Sequence, residues 1–216
     1  MLLQKEREDV IKYCRKLIEC NLTRGTGGNI SILNRDECLF AISPSGIDYF
    51  ELEVDDIVVL DIEGNIVEGK RKPSSELELH RIFYEKRNDI DSVVHCHSVY
   101  STVLSTIRES LPASNYLVAV GGGNNVRCAE YASFGTRELA NNAFDAMVDR
   151  KAVFLANHGL LTAGKSISSA FSTAEEIEFC AEVYVKAKSI GKPILLSDEE
   201  MNNMLERFKG YGQRNT

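Results

Sequence analysis

Three of the four histidines in the chain have a spacing that could bind a metal ion. His95 and His97 follow the apolar segment 92–94, and side chains two residues apart lie on the same face of a strand. His158 follows a second apolar segment, residues 152–156. If the two strand ends are neighbours, three imidazoles converge and leave a coordination position open. That arrangement is typical of a catalytic rather than a structural zinc site.

Glu76 is the carboxylate that could complete this site. It ends the segment Pro73-Ser-Ser-Glu76 and falls in the first turn of a predicted helix, where it could act as a base or as a metal ligand. Two other interpretations stay open. A glutamate in the first turn can simply stabilise the helix dipole, and a His-x-His pair can arise by chance. His80, further along the same helix, is expected to be partly buried or to support the ligands rather than to bind the ion.

Three clusters of small residues could hold an anion. They are residues 25–29 (Gly-Thr-Gly-Gly-Asn), 43–46 (Ser-Pro-Ser-Gly) and 73–75 (Pro-Ser-Ser). Glycines let the backbone approach an anion and donate N–H groups, and the start of a helix attracts phosphate. Each cluster by itself is equally typical of a turn or a helix end. None matches a P-loop or a G-x-G-x-x-G fingerprint.

The bulk properties narrow the class of protein. The chain has 216 residues and a formal net charge of −7, so we expect one domain over residues 1–216 and no nucleic acid partner, which usually needs a basic face. No apolar run approaches the roughly 18 residues of a membrane span, and we expect no membrane association. The six cysteines show no C-x-x-C spacing, which favours reduced, mostly buried thiols in a cytoplasmic protein.

Hydrophobic periodicity and cap residues predict the elements that must position these groups. The predicted helices cover about residues 3–21, 75–87, 99–107, 136–149, 166–190 and 197 to 210 or 212, and the predicted strands cover residues 29–33, 39–43, 57–61, 66–67, 92–97 and 152–156. Capping boxes are predicted at Ser75 and Ser197, and Thr136 as an N-cap. The irregular alternation predicts an α/β fold, with a mixed, mainly antiparallel central sheet flanked by helices.

Six short motifs, taken together and in order, resemble those of the class II aldolase/adducin family. They are Leu22-Thr-Arg-Gly-Thr-Gly-Gly-Asn-Ile-Ser31, Ser43-Pro-Ser-Gly-Ile47, Pro73-Ser-Ser-Glu76, Val94-His-Cys-His97, Tyr131-Ala-Ser-Phe-Gly-Thr136 and Asn157-His-Gly-Leu-Leu161. The resemblance covers nearly the whole chain. It implies the class II aldolase/adducin-like fold and a C4 homotetramer with active sites at the subunit interfaces.

The resemblance also implies a reaction. The family's metal-dependent aldolases reversibly cleave L-fuculose 1-phosphate, or a close deoxy-ketose 1-phosphate, to dihydroxyacetone phosphate and an aldehyde, which is L-lactaldehyde for the fuculose ester. The implied cofactor is one Zn2+ per subunit, held by His95, His97, His158 and Glu76, and it stabilises an enediolate as a Lewis acid. Cobalt or manganese could also bind such ligands. Glu76 matches the family's acid/base.

Further site residues follow from the same resemblance. The residues expected to hold the substrate phosphate are Thr26, Asn29, Ser45, Gly46, Ser74 and Ser75. Tyr116 and Tyr211 match tyrosines that act from a neighbouring subunit on the aldehyde end of the substrate, and Tyr116 would handle the proton on the C4 oxygen. Without the resemblance, both tyrosines read as ordinary half-buried aromatic residues.

Three alternatives within the family remain. A pentulose-5-phosphate 4-epimerase uses the same metal, but such enzymes tend to carry Asp where this chain has Glu76. A methylthioribulose-1-phosphate dehydratase is a second enzyme option. An adducin-like binding module would keep the fold without catalysis. Such a module is expected to have lost metal ligands, whereas this chain retains all three histidines and Glu76.

Overall fold

A computed structural model describes residues 1–210 and arranges them as helices on both faces of one sheet. The strands are β1 (Asn29–Asn34), β2 (Leu39–Ile42), β3 (Val58–Asp61), β4 (Ile66–Glu68), β5 (Ser92–Cys96), β6 (Arg127–Ala129), β7 (Ala152–Leu155) and β8 (Gly159–Gly164). Their order across the sheet is β4-β3-β2-β1-β5-β8-β7-β6. Among these strands, only β6 and β7 pair in parallel, which confirms the predicted mainly antiparallel sheet.

Helices cover both faces of this sheet. They are α1 (Gln4–Glu19), α2 (Leu77–Lys86), α3 (Val99–Thr106), α4 (Arg137–Ala146), α5 (Ile167–Ile190) and α6 (Asp198–Lys209), with 3-10 turns at Val54–Asp56 and Tyr116–Gly121. Buried side chains of α2 and α4 form one core with the sheet, and those of α1, α3, α5 and α6 form the other. Within the described residues, no helix is long and apolar enough to cross a membrane.

The two cores explain which way the His-x-His pair faces. Val94 and Cys96 of β5 belong to the core under α1 and α5, whereas Val93 belongs to the core under α2. Because strand side chains alternate between faces, His95 lies on the α2 side of the sheet, and His97 continues the same alternation. The histidine pair therefore points toward the helix that begins after Glu76.

Thr136 and Ser197 are confirmed as N-cap residues, although the reciprocal bond of the capping box predicted at Ser197 is absent within the described residues. The Thr136 side chain accepts a hydrogen bond from the N–H of Leu139 at the start of α4, and the Ser197 side chain does the same for Glu200 at the start of α6. The capping box at Ser75 is wrong: Glu76 is the N-cap residue of α2, and its side chain caps no helix N–H. The Glu76 carboxylate instead contacts the side chains of Asn29 on β1 and His95 on β5.

Four elements were absent from the sequence-based prediction: strands β6 and β8 and the two 3-10 turns. Strand β6 is only three residues long, too short to display an alternating pattern, and its pairing with β7 depends on a distant segment. The 3-10 turn Tyr116–Gly121 begins at Asn115, whose side chain accepts a hydrogen bond from the N–H of Leu117. The expectation of mostly buried thiols also holds only in part, since Cys20 and Cys38 are exposed.

Candidate active site

One end of the sheet gathers the predicted metal ligands. The first residue of β1, Asn29, is paired with His95 on β5, and Cys96 is paired with Leu160 on β8. The turn that joins β7 to β8 contains His158. The two strand ends are thus neighbours, as three converging imidazoles require.

The β7–β8 turn is held in place by the end of α3. Asn157 has a positive φ of 54°, a conformation that asparagine tolerates better than most residues. Its backbone N–H donates to the carbonyl of Ser105 at 2.9 Å, and its side-chain amide donates to the carbonyl of Thr106 at 3.3 Å. These bonds fix the orientation of the turn and hence the position of His158.

The chain after His97 is fixed by a carboxylate from the long helix α5. Glu178 accepts hydrogen bonds from the backbone N–H groups of Tyr100 at 2.7 Å and Ser101 at 2.9 Å, at the first turn of α3. A negative charge at this end of a helix is favourable because the first N–H groups have no partners within the helix. His97 is thereby held between β5 and a capped helix.

The four predicted metal ligands form one cluster. The ligand atoms of Glu76, His95, His97 and His158 all lie within 4.8 Å of one another. Nε2 of His95 is 3.0 Å from Nε2 of His97 and 3.1 Å from Oε2 of Glu76. Nε2 of His158 is 3.5 Å from Oε1 of Glu76. A divalent ion of ordinary Zn–N distance, about 2.0–2.1 Å, can contact donor atoms separated in this way.

A backbone contact sets the tautomer of His95. Nδ1 of His95 lies 2.9 Å from the carbonyl oxygen of Leu160. A carbonyl can only accept, so Nδ1 carries a hydrogen, and it is Nε2 that can release its proton and offer a lone pair to the cluster. Metal-binding histidines are commonly oriented in this way by a carbonyl behind the ring.

The electrostatics of the cluster suit a cation. Burial opposes the charge of Glu76, but attraction and a hydrogen bond from His95 outweigh it and hold the pKa of Glu76 well below its usual range. Burial, followed by repulsion from the charge on His95, lowers the pKa of His97 and the pKa of His158 to about 4. Oε1 of Glu76 is buried without a hydrogen-bond partner among the described residues. Burial opposes the charge of His95, but attraction to Glu76 outweighs it and raises the pKa of His95. An ionised carboxylate beside the neutral rings of His97 and His158 fits a divalent ion, and His95 joins this donor set by releasing its Nε2 proton when the ion binds.

A cleft of about 340 Å³ opens beside the cluster. The Pro44–Pro73 bridge and the 3.1 Å hydrogen bond from the N–H of Ser74 to the carbonyl of Ser43 bring two of the three small-residue clusters together. All six residues expected to hold phosphate line the cleft, together with Glu76, His97 and His158. The cleft therefore places hydroxyl and backbone donors opposite the metal ligands.

The glycine-rich loop 25–29 approaches β5 closely. A Cβ on Gly28, whose φ is +78°, would lie 2.6 Å from the carbonyl oxygen of His95. The hydroxyl of Tyr49 donates to the carbonyl of Gly28 at 2.7 Å. Only glycine allows the loop to lie this close to the strand that carries the histidines.

Several cleft residues were not predicted as site residues. Tyr131 and Phe134 line the cleft and are 52% and 69% exposed, and Asn157 contributes from the β7–β8 turn. The motif 131–136 was the signal that could have identified the two aromatic residues. Tyr116 is absent from the cleft lining and stacks on Phe208, with ring centroids 6.4 Å apart. Tyr211 lies outside the described residues.

Comparison with known proteins gives one consistent answer. Residues 8–185 match the family model described as Class II Aldolase and Adducin N-terminal domain. A 5-deoxy-D-ribulose 1-phosphate aldolase of Bacillus thuringiensis serovar kurstaki is 54% identical over 99% of this chain and 100% of its own length. An L-fuculose phosphate aldolase of Escherichia coli K12 is 40% identical over 97% of each chain. A solved structure described as L-fuculose 1-phosphate aldolase is 53% identical, with a TM-score of 0.94 over 97% of this chain and 98% of that chain.

Proposed function

Because the chain belongs to the class II aldolase and adducin family and is an aldehyde-lyase of the class II type, we propose that it cleaves a deoxy-ketose 1-phosphate between C3 and C4. The products are dihydroxyacetone phosphate and a short aldehyde. The observation that carries this proposal is the cluster of three imidazoles and Glu76 at the edge of a cleft lined by hydroxyl and backbone donors. The metal ligands can hold an ion that binds the carbonyl of such a substrate, and the hydroxyl and backbone donors can bind its phosphate.

The names of the relatives suggest two candidate substrates. The relative at 54% identity is named for 5-deoxy-D-ribulose 1-phosphate, whose cleavage yields acetaldehyde. The relative at 40% and the solved structure at 53% are named for L-fuculose phosphate, whose cleavage yields L-lactaldehyde. We therefore place the 5-deoxypentulose ester first and L-fuculose 1-phosphate second. The epimerase, dehydratase and binding-module alternatives have no comparable support among these proteins.

The proposed cofactor is one Zn2+ per subunit, held by His95, His97, His158 and Glu76. When bound, the ion supplies a Lewis acid for the C2 carbonyl of the substrate. Glu76 is proposed to ligate the resting ion and to swing aside when substrate binds. It then exchanges the proton at C3 through Oε1, because Oε2 already accepts from Asn29 at 3.0 Å. In the condensation direction the ionised Glu76 removes the proton from C3 of dihydroxyacetone phosphate, and an equivalent proton goes to the C4 oxygen. In the cleavage direction the proton that leaves the C4 hydroxyl is matched by the one that Glu76 takes up and gives to C3.

The phosphate is proposed to bind between the three loops. The hydroxyls of Thr26, Ser45, Ser74 and Ser75, the Asn29 amide and the backbone of Gly46 line the same cleft. The positive end of the α2 dipole favours a dianion there. The acidic chain can therefore still bind an anionic substrate locally.

The aldehyde end is proposed to meet residues of a second subunit. Tyr116 is 50% exposed and does not line the cleft of its own chain, so it can act only across a subunit interface. We assign Tyr116 the proton of the C4 oxygen and place the sites at the interfaces of a C4 homotetramer. Tyr211, which follows α6, is proposed to contact the aldehyde end in the same way.

Tyr116→Phe is expected to lower kcat by about 10²-fold, because the variant loses only the proton that the hydroxyl handles. Steady-state cleavage and light scattering on the same preparation measure turnover and assembly together. Tyr13→Phe is the matched control, since Tyr13 packs against Phe171 and lies outside the cleft. Unchanged kinetics in Tyr116→Phe would remove this tyrosine from the proposed site.

The proposed substrates are tested by dihydroxyacetone phosphate release. Metal-loaded enzyme is incubated in parallel with 5-deoxy-D-ribulose 1-phosphate and L-fuculose 1-phosphate, and kcat/KM is compared. We expect both to be cleaved and the 5-deoxypentulose ester to have the higher kcat/KM. No release from either ester would contradict the proposal, and epimerisation of a pentulose 5-phosphate would then favour the epimerase alternative.

A further inference from the structure

Behind Glu76, five buried polar side chains alternate between β1 and α2. Asn29 and Ser31 are two residues apart on β1, while Glu76, His80 and Tyr84 follow at intervals of four along α2. Two residues of a strand span about 6.6–6.8 Å and four residues of a helix about 6 Å. The side chains from β1 and those from α2 therefore have nearly the same spacing, and each β1 side chain lies between two from α2. None of the five residues is more than 6% exposed.

Hydrogen bonds join these side chains into one chain that ends at Glu76. The Tyr84 hydroxyl lies 2.5 Å from Oγ of Ser31, which lies 2.6 Å from Nδ1 of His80. Nε2 of His80 contacts Oδ1 of Asn29. Nδ2 of Asn29 donates to Oε2 of Glu76 at 3.0 Å.

For a neutral His80 ring, only one assignment of hydrogens satisfies every member. An ionised carboxylate can only accept, so Asn29 must turn its NH2 group to Glu76 and its carbonyl to His80. His80 must then carry its hydrogen on Nε2 and accept at Nδ1 from the Ser31 hydroxyl. That hydroxyl in turn accepts from Tyr84. A fully satisfied buried network of this kind fixes the orientation of each member.

We infer that His80 is a positioning residue for the proposed reaction: through Asn29 it holds Oε2 of Glu76, so that Oε1 is the oxygen that exchanges the proton. This inference rests on the proposed function, because it needs Glu76 as the acid/base. Oε1 has no hydrogen-bond partner among the described residues, whereas Oε2 is held by Asn29. The chain ends at Tyr84, which is 3% exposed, so the network orients Glu76 rather than supplying protons from solvent.

The tautomer of His80 is the first test. Nitrogen NMR of protein labelled at histidine, with His80→Gln used to assign the signals, is expected to show a neutral ring protonated at Nε2. The measurement needs no substrate and is made on metal-free and metal-loaded protein. A hydrogen on Nδ1, or a charged ring, would overturn the inference.

The second test isolates the proton step. Metal-loaded enzyme and dihydroxyacetone phosphate are placed in D2O, and exchange of the C3 hydrogen is followed by proton NMR. His80→Phe, which cannot donate to Asn29, is expected to lower kcat for exchange about 10–100-fold with little change in KM and with full metal content. His80→Gln, whose amide can donate, should recover part of the rate.

Ile82→Val is the matched control for packing. Ile82 is fully buried on α2, and its truncation lowers Tm without touching the hydrogen-bond chain. We expect this variant to exchange at the wild-type rate. If the exchange rate fell in proportion to the loss of Tm, and by the same relation in Ile82→Val and His80→Phe, His80 would have only a structural role.

A double-mutant cycle tests whether His80 acts through Asn29. In an Asn29→Ala background, His80→Phe is expected to cause no further loss of kcat. Independent, additive losses would contradict the inference. Absence of exchange in metal-loaded wild-type enzyme would contradict the proposed function. Normal exchange in the wild type and an equal rate in His80→Phe would contradict only the inference about His80.

Discussion

Glu76→Gln is expected to lower kcat for cleavage by about 10²–10⁴-fold, because an amide of the same size cannot exchange the proton at C3. Both oxygens of Glu76 matter to this expectation: Oε2 accepts from Asn29, and Oε1 has no partner among the described residues. Dihydroxyacetone phosphate release at saturating substrate measures the loss. Circular dichroism and thermal unfolding of the variant establish that the fold persists.

Glu78→Gln is the control for this substitution. Glu78 is two residues further along the chain and binds Arg81 and Arg137 at the surface. Glu78 does not line the cleft, so turnover should stay close to the wild type even where loss of these partly buried ion pairs lowers Tm. If Glu76→Gln also retained near-normal turnover, Glu76 would have no acid/base role.

Removal of the metal ion is the second large effect. Chelation is expected to lower dihydroxyacetone phosphate release at least about 10³-fold, since a Lewis acid supplies several kcal/mol and each 1.36 kcal/mol is tenfold in rate. Addition of zinc to the metal-free protein should restore release. Metal analysis by mass spectrometry and the cleavage rate are measured on the same samples.

The proposed metal ligands can also be tested by metal binding, without measuring catalysis. His97→Ala is expected to bind metal more weakly, so that zinc raises its Tm less than it raises the Tm of the wild type. His80→Gln should keep one ion per subunit, because His80 lies outside the cluster of ligand atoms. Equal metal content and equal zinc-dependent Tm in wild type and His97→Ala would exclude His97 as a ligand.

Local patterns in the sequence determined much of the fold. The period of two in β5 places His95 and His97 on one face, and the apolar alternation around them is confirmed by the two cores. Thr136 and Ser197 begin their helices as predicted. These features could be predicted because they depend on sterics and hydrogen bonds within a few residues along the chain.

Pairings between distant segments decided the rest. His158 reaches the histidine pair because β8 pairs with β5 across more than 60 residues. The carboxylate of Glu76, which the sequence placed only in the first turn of a helix, contacts His95 and Asn29 because α2 packs against the sheet. His80 was predicted only to lie near the ligands, and its hydrogen bond to Asn29 became visible only when α2 was placed over β1. A sequence specifies the spacing of residues within an element. Which elements meet depends on tertiary packing, which brings together residues far apart along the chain.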